Sequence, residues 1–485
     1  MYLNYLKSYF FKKTLFLSIL LFFQSCQINP ATGEKEVSLM STEEEDSIGR
    51  REHNKLISQF GGIYREKELQ SYINSIGNFL VSTSELPNKK FTFTILDSEI
   101  VNAFALPGGY VYLTRGLIAL CNNEAQLAGV LAHEIGHVTG RHAAQRYTRT
   151  IGTNLVTNIL SVLINNPSLG NLVGQGAGLY VLSYSRSQEI EADRLAIRYM
   201  SRAGFAEEEM ANFLRSMERY AVLSKKMQNK DTNNTSDLLS THPSSSKRVR
   251  QVISESKLIN NARPIYGKEI FLKKINGMRF GKSPKEGVIF GDHFIHNGLE
   301  IKFKLPEDFF FLNTTKFLLG TSENDSKIII DVKKSKNNED ILEHTKRVLG
   351  KKFPKNYNRN SVDGMDSIDI VFKQKDKINR LFVIKNGQNI LRFLLTSKKN
   401  DYSKNDNSFQ TIFSSVRKLT KEELDKPKKK ILKIYTVKPK DTFEKIVNKQ
   451  KVQKKFAREI FMIMNNKQKK NLRIGEKIKI ISFEN

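Results

Sequence analysis

Cysteine is nearly absent: Cys26 and Cys121 are the only two among 485 residues. A disulfide scaffold and a cysteine-built zinc finger are thereby excluded, because such sites need more thiols than the chain carries. Any bound metal must sit on histidine and carboxylate. Long apolar runs are missing too. The stretches Leu15 to Phe23 and Leu155 to Ile164 fall short of the about 20 apolar residues that a spanning helix needs, so the second is expected to be a buried or pocket-lining helix. No internal repeat stands out. The composition, 39% hydrophobic and 27% charged, is that of a chain that folds, and its length predicts two to four domains at roughly 100 to 200 residues each.

The net charge of +29 is unevenly distributed: +3 over residues 1–26, +1 over 27–260, +13 over 261–420 and +12 over 421–485. The basic excess belongs to the C-terminal half. It suits an anionic partner such as a membrane surface, a cell-wall polymer or nucleic acid, and it is equally what a Lys- and Asn-rich genome would produce. At the N-terminus, Lys7, Lys12 and Lys13 precede the apolar run and then Gln24, Ser25 and Cys26, the layout of a secretory signal peptide over residues 1–25. The small residue before Cys26 resembles a bacterial lipoprotein cleavage site, which implies a lipid-bearing Cys26 and a membrane anchor, although Phe23 and Gln24 depart from the usual pattern. Export to the periplasm leaves no nucleic-acid partner.

Residues 27–260 carry helical periodicity, with strands expected at Phe91 to Leu96 and Tyr110 to Thr114. The glycine-punctuated stretch from Ile151 to Tyr184 reads as a partly helical, mobile connection, and residues 222–241 as a polar surface loop. From about residue 264, aromatic and β-branched runs at Val288 to Phe290, Leu299 to Leu305 and Ile328 to Val332 announce a separate sheet-containing domain. A basic run around Lys426 to Lys430 marks a linker over 421–432, ahead of a last unit.

Within Glu124 to Arg149, good helix formers preceded by the capping candidates Asn122 and Asn123, lies His133, Glu134, Ile135, Gly136, His137. Residues four apart share a helix face, so two imidazoles converge on one Zn²⁺ and Glu134 reaches its bound water as general base. A third protein ligand is required. His142 is one candidate, but the elongated H-E-x-x-H-x-x-G-x-x-H spacing places its third His where Ala143 stands, which makes His142 a surface or supporting residue. The other candidate is a carboxylate in the run Ser185 to Asp193, which opens a helical segment through Met200.

Arg186 and the spacing Glu189-x-x-Ala192-Asp193, downstream of H-E-x-x-H, resemble the HtpX-type and prenyl-CaaX-type zinc metallopeptidases. The resemblance implies that Glu189 is the third zinc ligand. Its neighbour Glu191 is turned by roughly 200° on a helix and cannot face the same ion, whereas Asp193 shares the Glu189 face and is suited to orient a ligand imidazole. Asn29 to Gly33 and Asn102 to Gly109 resemble segments of the family's exported, outer-membrane quality-control branch. By that likeness Asn102, Ala103 and Phe104 belong to the edge strand that holds substrate in extended form. Thr241, His242, Pro243 and then Arg248 resemble its downstream T-H-P segment, which implies that His242 donates to the transition state or acts as an inhibitory extra ligand, with Arg248 supporting the site. The likeness covers roughly residues 27–255. No spanning helices surround the catalytic unit, which sets the chain apart from members that process prenylated peptides.

Residues from Tyr435 to Ile480 resemble a LysM module, although Lys440 replaces the usual Gly. Binding to peptidoglycan or another anionic polymer and a purely structural role both remain open. The expectation is therefore an α+β multidomain protein. It comprises a mainly helical zincin-type catalytic domain with a small sheet over 26–260, an α+β accessory domain over 264–420 and a β-α-α-β module over 433–483. The function expected is hydrolysis of misfolded or stalled envelope proteins. The rival is an envelope chaperone or tether whose metal site is structural or occluded.

Overall fold

The computed structural model describes residues 26–150, 184–228, 242, 246–259, 262–313, 317–324, 326–335, 339–425, 429–452 and 454–484. The expected signal peptide, the stretch 151–183 and the last part of the expected loop, 229–241, lie outside them. No helix among the described residues is long and apolar enough to cross a membrane. The chain is α+β and divides into two compact units. One comprises Met1–Val222, Asn234–Asn276 and Met462–Lys470, the other Leu223–Asn233, Gly277–Phe461 and Asn471–Asn485.

The first unit opens with an antiparallel hairpin of β1 (Cys26–Ile28) and β2 (Lys35–Val37). α1 (Thr42–Gln59) begins at a capping box between Ser41 and Glu44. α2 (Lys67–Ser82) buries Leu69, Tyr72, Ile73, Ile76 and Leu80, the three-to-four spacing of one helix face. Strands β3 (Thr92–Leu96), β4 (Ala103–Leu106) and β5 (Tyr110–Thr114) form a sheet in the order β3-β5-β4, with β3 parallel and β4 antiparallel to β5. The β4–β5 turn needs left-handed backbone at two positions, φ 82° and 86°, and Gly108 and Gly109 supply it without a Cβ clash. β4 is last in this order, so its outer edge has no strand partner among the described residues. The helices that follow are α3 (Arg115–Leu120), α4 (Glu124–Thr139), α5 (Arg186–Arg202), α6 (Glu208–Gln228), α7 (Ser246–Ser256) and α8 (Lys268–Ile275).

Two expectations change here. The helix carrying H-E-x-x-H does not run to Arg149. It stops at Thr139, and a second helical stretch occupies 142–150. The break is Gly140 followed by Arg141 at φ 52°, a left-handed conformation held by tertiary bonds from the buried guanidinium to Glu45, Gln27 and the Met40 carbonyl. The polar run from residue 222 is helical as far as Gln228, anchored by buried Leu223.

The second unit is built on a seven-stranded antiparallel sheet. Its strands are β9 (Phe309–Asn313), β10 (Phe317–Ser322), β11 (Lys327–Lys334), β12 (Asn358–Val362), β13 (Met365–Gln374), β14 (Lys377–Asn386) and β15 (Asn389–Lys398), in the order β12-β13-β14-β15-β11-β10-β9. Both faces are covered, as the alternation in β14 requires. Leu381 and Val383 join Ile341 of α9 (Ile341–Leu349), while Phe382 and Ile384 join Phe409 and Ile412 of α10 (Tyr402–Ser415). A smaller sheet pairs β6 (Val288–Phe290), β7 (His293–His296), β8 (Ile301–Lys304) and β16 (Arg417–Lys418) in the order β16-β8-β7-β6.

The last elements are β17 (Lys430–Thr436), α11 (Phe443–Lys449), α12 (Ala457–Met464) and β18 (Lys477–Phe483), in β-α-α-β order with β17 and β18 antiparallel. β17 begins inside the run expected to be linker. Ile431 and Leu432 pair with Ser482 and Ile481, and Leu432 is fully buried, so apolar pairing overrides the flanking lysines.

Candidate metal centre

Asn123 caps α4, its side chain accepting from the Gln126 amide at 2.8 Å. Ser185 and Gln188 cap α5 reciprocally. The two helices cross where Gly136 meets Ala192. A Cβ at Gly136 would lie 3.2 Å from the Ala192 carbonyl oxygen and from Leu195 Cβ. That close approach brings the third side chain to the histidine pair. The Nε2 atoms of His133 and His137 are 3.1 Å apart, Glu189 Oε2 lies 3.5 Å from the first, and Glu189 Oε1 lies 3.6 Å from the second.

His242 completes the group. Its Nδ1 is 3.0 Å from Glu189 Oε1 and 3.3 Å from His133 Nε2, and its Nε2 is 3.5 Å from Glu134 Oε1. Thr241 and Pro243 lie outside the described residues. One ligand atom from each of His133, His137, Glu189 and His242 falls within 4.8 Å of the others, and all four residues are buried. These spacings suit a metal. Donors about 2.0–2.1 Å from one tetrahedral zinc lie about 3.3 Å apart, close to the separations among His133, His137 and Glu189. The buried Glu134 Oε2 and His242 Nε2 have no hydrogen-bond partner among the described residues.

Supporting contacts surround this centre. Asp193 Oδ1 lies 3.0 Å from His133 Nδ1, turning the opposite nitrogen toward the centre. Arg248 donates to Asp193 at 2.6 and 2.7 Å and lies 2.7 Å from Glu189 Oε2. Burial disfavours the His133 imidazolium, but Asp193 and Glu189 outweigh it and raise the group to about 9. Burial likewise opposes ionisation of Glu189, yet His242, His133 and Arg248 hold it well below the usual carboxylate range. At Glu134 burial prevails over His242 and His133, and the carboxyl is pushed up. Burial and the charge of His133 hold His137 low.

His142 is not at the surface. It is fully buried, and its Nδ1 is 2.8 Å from His137 Nδ1, while its Nε2 faces Glu191 Oε2 at 3.5 Å. Glu191 thus points away from the centre. Tyr184 stacks on the His137 ring at 3.8 Å, a contact with no signal in the spacing of the motifs. Ala103 and Phe104 lie in β4, and Asn102 just precedes it, its amide bonded to Thr114 Oγ1. Phe104 turns inward to stack on Tyr112, so it offers a substrate only its backbone. Cys26 begins β1.

A model of peptidase family M48 matches residues 67–256. These residues form an M48 domain. Over 208 residues, 41% of this chain and 40% of the relative, the chain is 33% identical to the beta-barrel assembly-enhancing protease of Escherichia coli (strain K12). It is 33% identical to the Yersinia pestis protein of the same name over 190 residues, 37% of each chain. It is also 33% identical to the mitochondrial metalloendopeptidase OMA1 of Saccharomyces cerevisiae over 172 residues, 34% of this chain and 45% of that one. The chain spans about two fifths of the length of the assembly-enhancing proteases it matches. The M48 domain holds every residue of the buried group, from His133 to His242.

Proposed function

We propose that the protein is an exported zinc-dependent metalloendopeptidase that hydrolyses peptide bonds of misfolded or stalled envelope proteins. The observation that carries this reading is the meeting of Glu189 with the His133–His137 pair beside Glu134, whose Oε2 has no hydrogen-bond partner among the described residues. Zinc held by His133, His137 and Glu189 would supply Lewis acidity. Glu134 acts as general base. Its Oε2 accepts the proton of the attacking water and returns it to the leaving amine, and burial raises its proton affinity above that of an exposed carboxylate. His242 donates from Nε2 to the developing oxyanion, and the free edge of β4 binds an extended substrate through its backbone. The names of the relatives support an envelope substrate. A lipid on Cys26 would anchor the protein, with the outer membrane favoured, and the β-α-α-β module, read as LysM-like, would hold peptidoglycan or another anionic polymer.

The test uses the purified full chain, metal analysis and an unfolded protein substrate. Glu134→Gln is expected to keep one zinc per chain and to lose about 10²–10⁴-fold in cleavage; full proteolysis by this variant removes Glu134 from the mechanism. A second reading, a chaperone or tether with an occluded site, is favoured by one observation, the packing of His242 against both Glu189 and Glu134. Zinc-loaded protein that cleaves nothing even as His242→Ala supports that alternative.

A further inference from the structure

The two histidines of the H-E-x-x-H motif are held differently. Behind His133 Nδ1 stands the Asp193 carboxylate, at 3.0 Å. Behind His137 Nδ1 stands another imidazole, that of His142, at 2.8 Å. An imidazole binds a metal through a lone pair that lies in the plane of the ring, so both the direction of the ring and the tilt of its plane must be fixed. A hydrogen bond weakens steeply only when its angle falls below about 120°, and the contact with His142 alone would let the His137 ring rock.

Tyr184 supplies the missing constraint. Its ring lies on the His137 ring with centroids 3.8 Å apart and planes 15° from parallel. The other rings around His137 meet it steeply, His133 at 90°, His142 at 73° and His242 at 46°. Among the described rings, then, Tyr184 is the one whose face opposes a tilt: any rocking presses one edge of the imidazole into the phenol and lifts the other edge off it.

Tyr184 is in turn held in place. It is buried, and the Arg146 guanidinium lies over its ring, 4.5 Å from the centroid. Arg146 follows His142 by four residues in the helical stretch 142–150, so both side chains leave the same face. That stretch therefore reaches His137 twice, directly through His142 and indirectly through Arg146 and Tyr184. The left-handed turn at Arg141 is what folds it back toward the centre. On its other side Tyr184 runs straight into Ser185, the cap of the helix that carries Glu189.

We infer that Tyr184 is a positioning residue for the metal centre, which by stacking on His137 sets the plane in which that imidazole presents Nε2. The inference rests on the metal reading of the centre. Its test uses the purified full chain as wild type, Tyr184→Phe, Tyr184→Leu and Tyr184→Met. Zinc affinity is measured against a competing chelator, the visible spectrum of the Co²⁺-loaded protein reports ligand geometry, and the melting temperature is taken without metal.

Tyr184→Phe keeps the flat face and is expected to retain the zinc affinity and the cobalt spectrum of the wild type. Tyr184→Leu fills the space without a flat face; it should bind zinc about 10–100-fold more weakly and change the cobalt spectrum of the folded, loaded protein. Tyr184→Met, unbranched and adaptable, is read in its place should the leucine variant fail to fold. A merely structural tyrosine would lower the metal-free melting temperature and leave the cobalt spectrum of the folded variant unchanged, and that result overturns the inference. So does a Tyr184→Phe variant as impaired as Tyr184→Leu, which gives the role to the hydroxyl. Metal uptake indifferent to Tyr184 overturns the inference alone, whereas a wild type that takes up neither metal overturns the metal reading and the inference together.

Discussion

Arg248 determines whether Glu189 and Asp193 are tolerable inside the protein. Both carboxylates are buried, and the same guanidinium reaches each at 2.6–2.7 Å. Removing one partner of such a buried group typically costs about 3–5 kcal/mol because the remaining charge is left uncompensated. Arg248→Ala in the metal-free protein is therefore expected to lower the melting temperature of the M48 domain by roughly 10 °C, as calorimetry would register; an unchanged melt would show that Arg248 does not hold the carboxylates. His142 acts on the other side of the centre. With His137 Nε2 turned inward, its Nδ1 carries the proton and donates to His142 Nδ1, which leaves the His142 proton on Nε2 facing Glu191. His142→Leu removes that acceptor, and zinc affinity measured against a competing chelator should fall about 10–100-fold. Glu191→Gln should do less, since the Glu191 side chain is 32% exposed and its contact is long.

The crossing of α4 and α5 places the centre, and Gly136 sets how closely they cross. Alanine is favoured over glycine inside a helix by about 1 kcal/mol. Its Cβ would nevertheless press on Ala192 and Leu195 at 3.2 Å, and overpacking of that kind costs about 1–3 kcal/mol. The clash should win. Gly136→Ala is expected to weaken zinc binding more than it lowers the melting temperature, because a shift of a few tenths of an ångström moves Glu189 away from the histidines before the core opens; a variant with unchanged zinc affinity would contradict this. Much of this element was legible in the sequence, since four-residue spacing on a helix and the Asn123 and Ser185 caps are local signals. The break at Gly140 and Arg141 was not legible. Residues 142–150 are good helix formers, and the left-handed turn is held by long-range bonds, from Arg141 to Glu45, Gln27 and the Met40 carbonyl. Ligand register counted through that break left His142 as either a surface or a supporting residue, and its contact with His137 Nδ1 makes it the second.

Across the whole molecule, alternating apolar residues announced the strands of the second unit, but nothing in them encodes that β15 pairs with β11 rather than with a later strand, because strand order is set by long-range closure. Opposite charges in that unit are arranged in pairs, some largely buried, such as Arg380 with Asp369, and some more exposed, such as Arg347 with Glu339. Arg347 hydrogen-bonds Glu339 and holds its carboxyl at about 2, against an ordinary 4.5. A depressed carboxyl stabilises the fold above its unfolded value and loses that contribution as pH falls through the folded one. The melting-temperature difference between wild type and Glu339→Gln should thus be present at pH 7 and close between about pH 4.5 and 2 in calorimetric scans; a gap that widened on acidification would reverse the sign. In the first unit, the Asn29 side chain donates to the Gly140 carbonyl, just beyond the last turn of α4. From Cys26 to Asn29 the backbone extends at most about 11 Å, and from Gly140 back to His137 a helix rises only about 5 Å. Were acyl chains carried on Cys26, this short tether would keep the reaction within roughly 20 Å of the bilayer surface, nearer to polypeptides still emerging from the lipid than to those diffusing freely.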